Sequence, residues 1–75
     1  MSAELTRDRV LAEVADLLDV EVDELDFDED LVDAGLDSIR IMSLVERWRT
    51  AGAGIGFVDL AETPTLTAWL RTLRL

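Results

Sequence analysis

The apolar positions of this chain fall into three helical stripes, separated by stretches without helical period. Val10, Val14, Leu17 and Leu18 stand at i, i+4, i+7 and i+8, one face of a 3.6-residue repeat. Leu11 and Ala15 widen that face, while Arg7, Arg9, Glu13 and Asp16 lie mostly elsewhere on the wheel. The pattern predicts a first helix over residues 3–18, with Ser2 as its cap. Ile41, Leu44, Val45 and Trp48 take i, i+3, i+4 and i+7 and predict a second helix over 38–51. Asp37 sits at its N-cap, and Gly52-Ala53-Gly54-Ile55-Gly56 ends it. Leu66, Trp69, Leu70 and Leu73 repeat the spacing in a last helix, which Thr63-Pro64-Thr65 opens, with Pro64 in its first turn. Phe57 to Ala61 reads as one or two turns of a short helix. The fold class expected is all-α: a single domain, residues 1–75, built as a small bundle of three main helices plus one short one. Trp48 and Trp69 belong to its core.

Residues 19–37 carry no helical period, and ten of these nineteen are acidic. Val20, Val22, Leu25, Phe27, Leu31 and Leu36 are spaced among the acids as anchors that would pin a loop to the helices. Val20 and Val22 alternate with acids, but a lone strand without a partner is not stable. The stretch therefore reads as a long loop with one 3₁₀ turn near Leu25. Loops of that length in small domains tend to be functional.

Composition narrows the function. The chain has no cysteine and no histidine, which removes disulfides, thiolate metal sites and the commonest general base. With one small core and neither residue, there are few ways to build an active site. Seventeen acids against seven bases give a net charge of −10. That argues against nucleic acid and anionic membrane as partners and favours partners with basic faces. No run of 18 apolar residues is present and the N-terminus lacks a signal peptide's apolar segment, so a cytoplasmic protein is expected. A monomer is expected as well.

Candidate chemistry centres on Gly35-Leu36-Asp37-Ser38-Ile39. Ser38 reads in two ways. One is a helix-start serine, among the commonest places for the residue. The other is a primary hydroxyl open to modification, where an attached phosphate would meet unpaired N–H groups and the positive end of the helix dipole. Asp37 beside it is either only the cap, or a group that accepts a hydrogen bond or helps a modifying enzyme's metal. Ile39 and Met42 lie off the core stripe and should be exposed; Phe57 and Ala61 fit either core or surface. Arg40 is placed to meet a phosphate, a partner's acid or only solvent. Asp26, Asp28 and Asp30 have the spacing that opens a calcium loop, but its sixth position needs glycine and holds Leu31, and its twelfth needs glutamate and holds Asp37. Gly52, Gly54 and Gly56 follow a helix rather than a strand, which suits a C-cap and turn rather than a phosphate loop.

The stretch Asp30-Leu31-Val32-Asp33-Ala34-Gly35-Leu36-Asp37-Ser38-Ile39 resembles the attachment motif of acyl, peptidyl and aryl carrier proteins. In that superfamily the serine after aspartate carries 4′-phosphopantetheine. Two further segments resemble the aryl carriers of phenolate siderophore synthesis: Ser38-Ile39-Arg40-Ile41-Met42-Ser43-Leu44 with Arg47-Trp48-Arg49, and Phe57-Val58-Asp59-Leu60-Ala61-Glu62-Thr63-Pro64-Thr65-Leu66 with Ala68-Trp69. The resemblance spans residues 5–73 and is nearest to the carrier domain of bifunctional isochorismatases. Their isochorismatase half is absent, so a stand-alone carrier or an excised domain is expected. Peptidyl carriers more often show Gly-Gly before the residue preceding the serine, and Leu36 departs from that pattern.

The resemblance implies a non-catalytic carrier. A phosphopantetheinyl transferase would attach the arm to Ser38, an aryl-acid adenylation enzyme would load 2,3-dihydroxybenzoate or salicylate as a thioester, and a condensation or cyclisation domain would receive it. It also implies a docking face on the second helix and the short third element. The positions matching Met42, Phe57 and Ala61 are associated in aryl carriers with the downstream condensation partner; Ile39 and Arg40 belong to the same face. The alternatives are a fatty-acyl, polyketide or peptidyl carrier, an acidic helical adaptor that is never modified, and a calcium-binding module.

Overall fold

The computed structural model describes residues 5–75. Within them the chain forms α1 (Arg7–Leu18), a 3₁₀ turn (Val22–Glu24), α2 (Leu31–Ala34), α3 (Ser38–Thr50), α4 (Phe57–Ala61) and α5 (Leu66–Leu73). The three long helices are those the stripes predict, and α4 is the short helix expected from Phe57 to Ala61. The single turn α2 is additional. Its four residues are too few to show a period, and its start is set by Asp30, whose Oδ1 accepts from the N–H groups of Val32 and Asp33 at 2.8 and 3.2 Å.

Two expected helix starts move. The Ser2 cap lies outside the described residues. Thr6 is the N-cap of α1, its Oγ1 accepting from Arg9 N at 3.1 Å in an extended backbone conformation that stops the helix from running further back. At the other end of the chain, Pro64 is not in the first turn of α5. Thr65 is the N-cap and accepts from Ala68 N at 3.2 Å, so Pro64 stands one residue outside the helix. Its carbonyl takes the N–H of Leu31 at 2.7 Å, tying the α4–α5 connection to α2.

The core is built from one face of each helix. α1 supplies Val10, Leu11, Val14 and Ala15; α3 supplies Ile41, Leu44, Val45 and Trp48; α5 supplies Leu66, Trp69 and Leu70. Leu31, Leu36, Ile55 and Leu60 close it from the connections and from α4. Leu17, Leu18 and Leu73, in the last turns of their helices, are only half-buried. Trp48 and Trp69 are both fully buried and meet edge to face, with ring centroids 5.8 Å apart and planes at 77°. Their N–H groups differ: Trp69 Nε1 donates to Leu60 O at 2.8 Å, whereas Trp48 Nε1 has no partner among the described residues.

The long acidic stretch is pinned less evenly than expected. Leu31 and Leu36 are buried and Leu25 and Phe27 half-buried, but Val20 and Val22 are exposed. They follow Asp19, which ends α1 in the left-handed conformation (φ 59°) and turns the chain outward before the 3₁₀ turn. Phe27 is held at both ends of its neighbourhood: its carbonyl accepts from Thr67 N at 3.0 Å, and the Arg7 guanidinium lies 5.3 Å from its ring centre. Within α1, Glu13 Oε2 accepts from Arg9 Nε at 2.6 Å, and an ion pair of 3.7 Å between Glu13 Oε1 and Arg47 Nη1 links α1 to α3. No helix among the described residues is long and apolar enough to cross a membrane.

Candidate functional site

The approach to Ser38 is a short relay of anchors. Leu36 is buried in the core and donates its N–H to Leu31 O at 2.9 Å, which closes α2. Gly35 makes that closure possible with φ 125°, a conformation side chains rarely adopt; a Cβ there would also meet Leu18 Cδ2 at 3.8 Å. Asp37 then leaves the core. Its Oδ1 accepts from Arg40 N at 2.9 Å and its carbonyl from Ile41 N at 3.0 Å, so it caps α3 by side chain and main chain together. Ser38 follows as the first helical residue. It is exposed, and among the described residues its hydroxyl has no hydrogen-bond partner. The N-terminal N–H groups and dipole of a 13-residue helix lie directly behind it.

The structure brings together most of the residues that the sequence singles out, though in different states. Ile39 is 80% exposed and Met42 46% exposed, the surface α3 presents beside Ser38 and away from its buried stripe. Phe57 and Ala61, one turn apart on α4, are both half-buried where α4 packs on α3. Arg40 is exposed but does not hang free: its Nη1 reaches Leu17 O and Gly35 O, each at 3.4 Å, and so bridges the end of α1 to the turn before Asp37. Two further apolar residues that sequence patterning did not single out are exposed. Val58 on α4 is 67% exposed and Val32 on α2 is 51% exposed. A five-residue helix and a one-turn helix are too short for periodicity to say which side faces out. The only signal for Val58 was its place between Phe57 and Leu60.

The acidic spacing at 26–30 serves the loop itself. Asp26 Oδ1 accepts from Asp28 N at 3.0 Å, Asp28 Oδ1 from Thr67 Oγ1 at 3.0 Å, and Asp30 caps α2. Among the described residues no group of three or more acids is arranged to hold a metal ion. The glycine triplet forms the C-terminal turn of α3: Gly52 has φ 104°, and Ala53 N returns to Trp48 O at 2.9 Å.

The family model for the phosphopantetheine attachment site matches residues 8–73. The chain belongs to that family. It is a carrier domain, of the kind on which 4′-phosphopantetheine is covalently held. It is 44% identical over 73 residues to the acyl carrier protein ScoB of Streptomyces coeruleorubidus, covering 97% of this chain and 86% of that one. It is 46% identical over 68 residues to an isochorismatase of Bacillus subtilis, covering 91% of this chain and 22% of that one. It is 55% identical over 60 residues to the phenyloxazoline synthase MbtB of Mycobacterium tuberculosis strain H37Rv, covering 80% of this chain and 4% of that one. The carrier thus spans about a fifth of the isochorismatase and a small fraction of the synthase. No solved structure matches it significantly.

The residues present fit the arm. Ser38 offers a free primary hydroxyl, and the start of α3 offers N–H groups and positive potential to a phosphodiester. When bound, 4′-phosphopantetheine supplies the thiol that this cysteine-free chain lacks.

Proposed function

We propose that this domain is an aryl carrier and that Ser38 is its attachment residue. A phosphopantetheinyl transferase joins the arm to Ser38: the serine oxygen forms the new phosphoester bond, adenosine 3′,5′-bisphosphate leaves coenzyme A, and the hydroxyl proton passes to the transferase. An adenylation enzyme then loads an aryl acid of the 2,3-dihydroxybenzoate or salicylate type as a thioester. The carrier hands that acyl group to a condensation or cyclisation domain. The chain itself catalyses none of these steps, and the work is cytoplasmic.

The observation that carries the attachment reading is the state of Ser38: exposed, without a hydrogen-bond partner for its hydroxyl among the described residues, and first in a capped helix. The aryl cargo is supported by relatives. A synthase whose named product is a phenyloxazoline must receive a phenyl-bearing acyl group, and its matching segment is 55% identical. Ile39, next to the serine, and Met42, one turn after it, are exposed apolar residues of α3, and α4, which packs on α3, exposes Val58 and half-buries Phe57 and Ala61; in this reading they make one docking face. Such faces mark contact sites. Met42 suits serial partners because its side chain adapts to different surfaces. Arg40, held at the turn before Asp37, is exposed beside these residues and is offered to a partner's acid.

The second reading is a carrier of another acyl group, supported by the 44% identity to ScoB, named an acyl carrier. Incubation of the arm-bearing protein with adenylation enzymes and a panel of acids separates the two. Thioester formation with aryl acids is expected; loading by amino or fatty acids but by no aryl acid would contradict the aryl cargo.

A further inference from the structure

We infer that Trp69, buried in the core, is a positioning residue that sets the pose of α4 and with it the downstream docking face. The inference rests on the reading above, in which α4 contributes to that face.

α4 has only five residues and cannot hold itself in place. Its N-terminus is fastened locally, by Gly56 N to Asp59 Oδ2 at 2.8 Å. Its C-terminus has a deficit written into the sequence. The carbonyl of Leu60 lies in the last turn, where helix carbonyls have no intrahelical partner, and the residue four on, Pro64, has no N–H with which to extend the helix to it. Trp69 fills the gap: its indole Nε1 donates to Leu60 O at 2.8 Å in a buried setting. Trp69 is itself fixed by complete burial and by the edge-to-face contact with Trp48. A rigid ring on α5 therefore grips the last turn of α4 by its main chain. Phe57, Val58 and Ala61, the residues α4 presents towards partners, turn with it.

The two tryptophans provide their own control. Both are fully buried and touch one another, but among the described residues the Trp48 N–H has no partner. Trp69→Phe removes a ring edge and the bond to Leu60; Trp48→Phe removes a comparable ring edge and no bond. The test uses the arm-bearing protein in both variants, with amide hydrogen exchange read residue by residue. Exchange at Ala61 and Glu62 is expected to rise on the order of three- to tenfold in Trp69→Phe, as loss of one buried hydrogen bond implies. It should stay within about twofold in Trp48→Phe on the same scale. Arm attachment at Ser38 should be unchanged in both variants, and acyl transfer to a condensation domain should fall only in Trp69→Phe.

Equal exchange in the two variants would overturn the inference. So would a Trp69→Phe protein that no longer folds, because the role claimed is local. Faster exchange on α4 with undiminished transfer would leave the anchor standing in structure but refute its functional role, and would remove α4 from the docking face. Failure of arm attachment in the wild-type protein would instead refute the carrier reading at Ser38.

Discussion

Ser38 stands clear of the bundle because the two residues before it do the anchoring: Leu36 in the core and Asp37 on the first turn of α3. The cap and a charge role for Asp37 are separable by substitution. Asp37→Ala should cost about 1 kcal/mol in denaturant unfolding, since the Arg40 N–H loses its acceptor. Asp37→Asn keeps an equally good cap, so its stability should be close to wild type. If its arm-attachment rate also holds, the aspartate acts as a cap alone; a rate that falls in Asn as far as in Ala assigns the negative charge to the modification step. This site was legible in the sequence because capping is a local matter of one side chain and the N–H three residues on. Arg40 was not legible: its reach to Leu17 O and Gly35 O spans elements that only the folded chain brings together.

At the scale of elements, the stripes of α1, α3 and α5 were readable because each repeats over two turns or more, and burial followed the repeat. Trp48 is the plainest case, predicted as core and fully buried. Trp48→Ala should lower stability by about 3–5 kcal/mol, a large share of the ~5–15 kcal/mol typical of a small domain. Equilibrium unfolding measures it, and a near-silent effect would contradict the packing described. The single turn α2 escaped the same reading, as did the outward turn at Asp19 that leaves Val20 and Val22 exposed; α4 was read as a short helix, but not which of its sides faces out. These elements depend on tertiary bonds such as Leu31 N to Pro64 O and Trp69 Nε1 to Leu60 O, which no period encodes. For the apolar face they help to form, Met42→Ala and Phe57→Ala should slow acyl transfer to the downstream domain several-fold more than they slow arm attachment. Val58→Ala should do the same with almost no change in stability, since its side chain is mostly solvated. Parallel loss of folding and transfer would return these residues to the core.

Across the whole molecule, charge and shape divide the labour. Ten of the seventeen acids fall within residues 19–37, the stretch leading into Ser38, while the hydrophobic core lies behind it. The absence of histidine and cysteine already pointed to imported chemistry, and the family match accounts for it: the thiol arrives on an arm. On the function proposed, the bundle's task is to hold one hydroxyl outward, next to a face that partners can bind and leave. Weak, reversible docking fits a small partly apolar patch better than a large interface, and tethering raises the local concentration of cargo at each partner's active site. All of this depends on Ser38 being the attachment residue. The direct measurement is the intact mass of the native protein and of Ser38→Ala after incubation with a broad-specificity phosphopantetheinyl transferase, coenzyme A and Mg²⁺. A gain of one 4′-phosphopantetheine on the native chain and none on Ser38→Ala is predicted; no gain on the native chain, or an undiminished gain on Ser38→Ala, would contradict it.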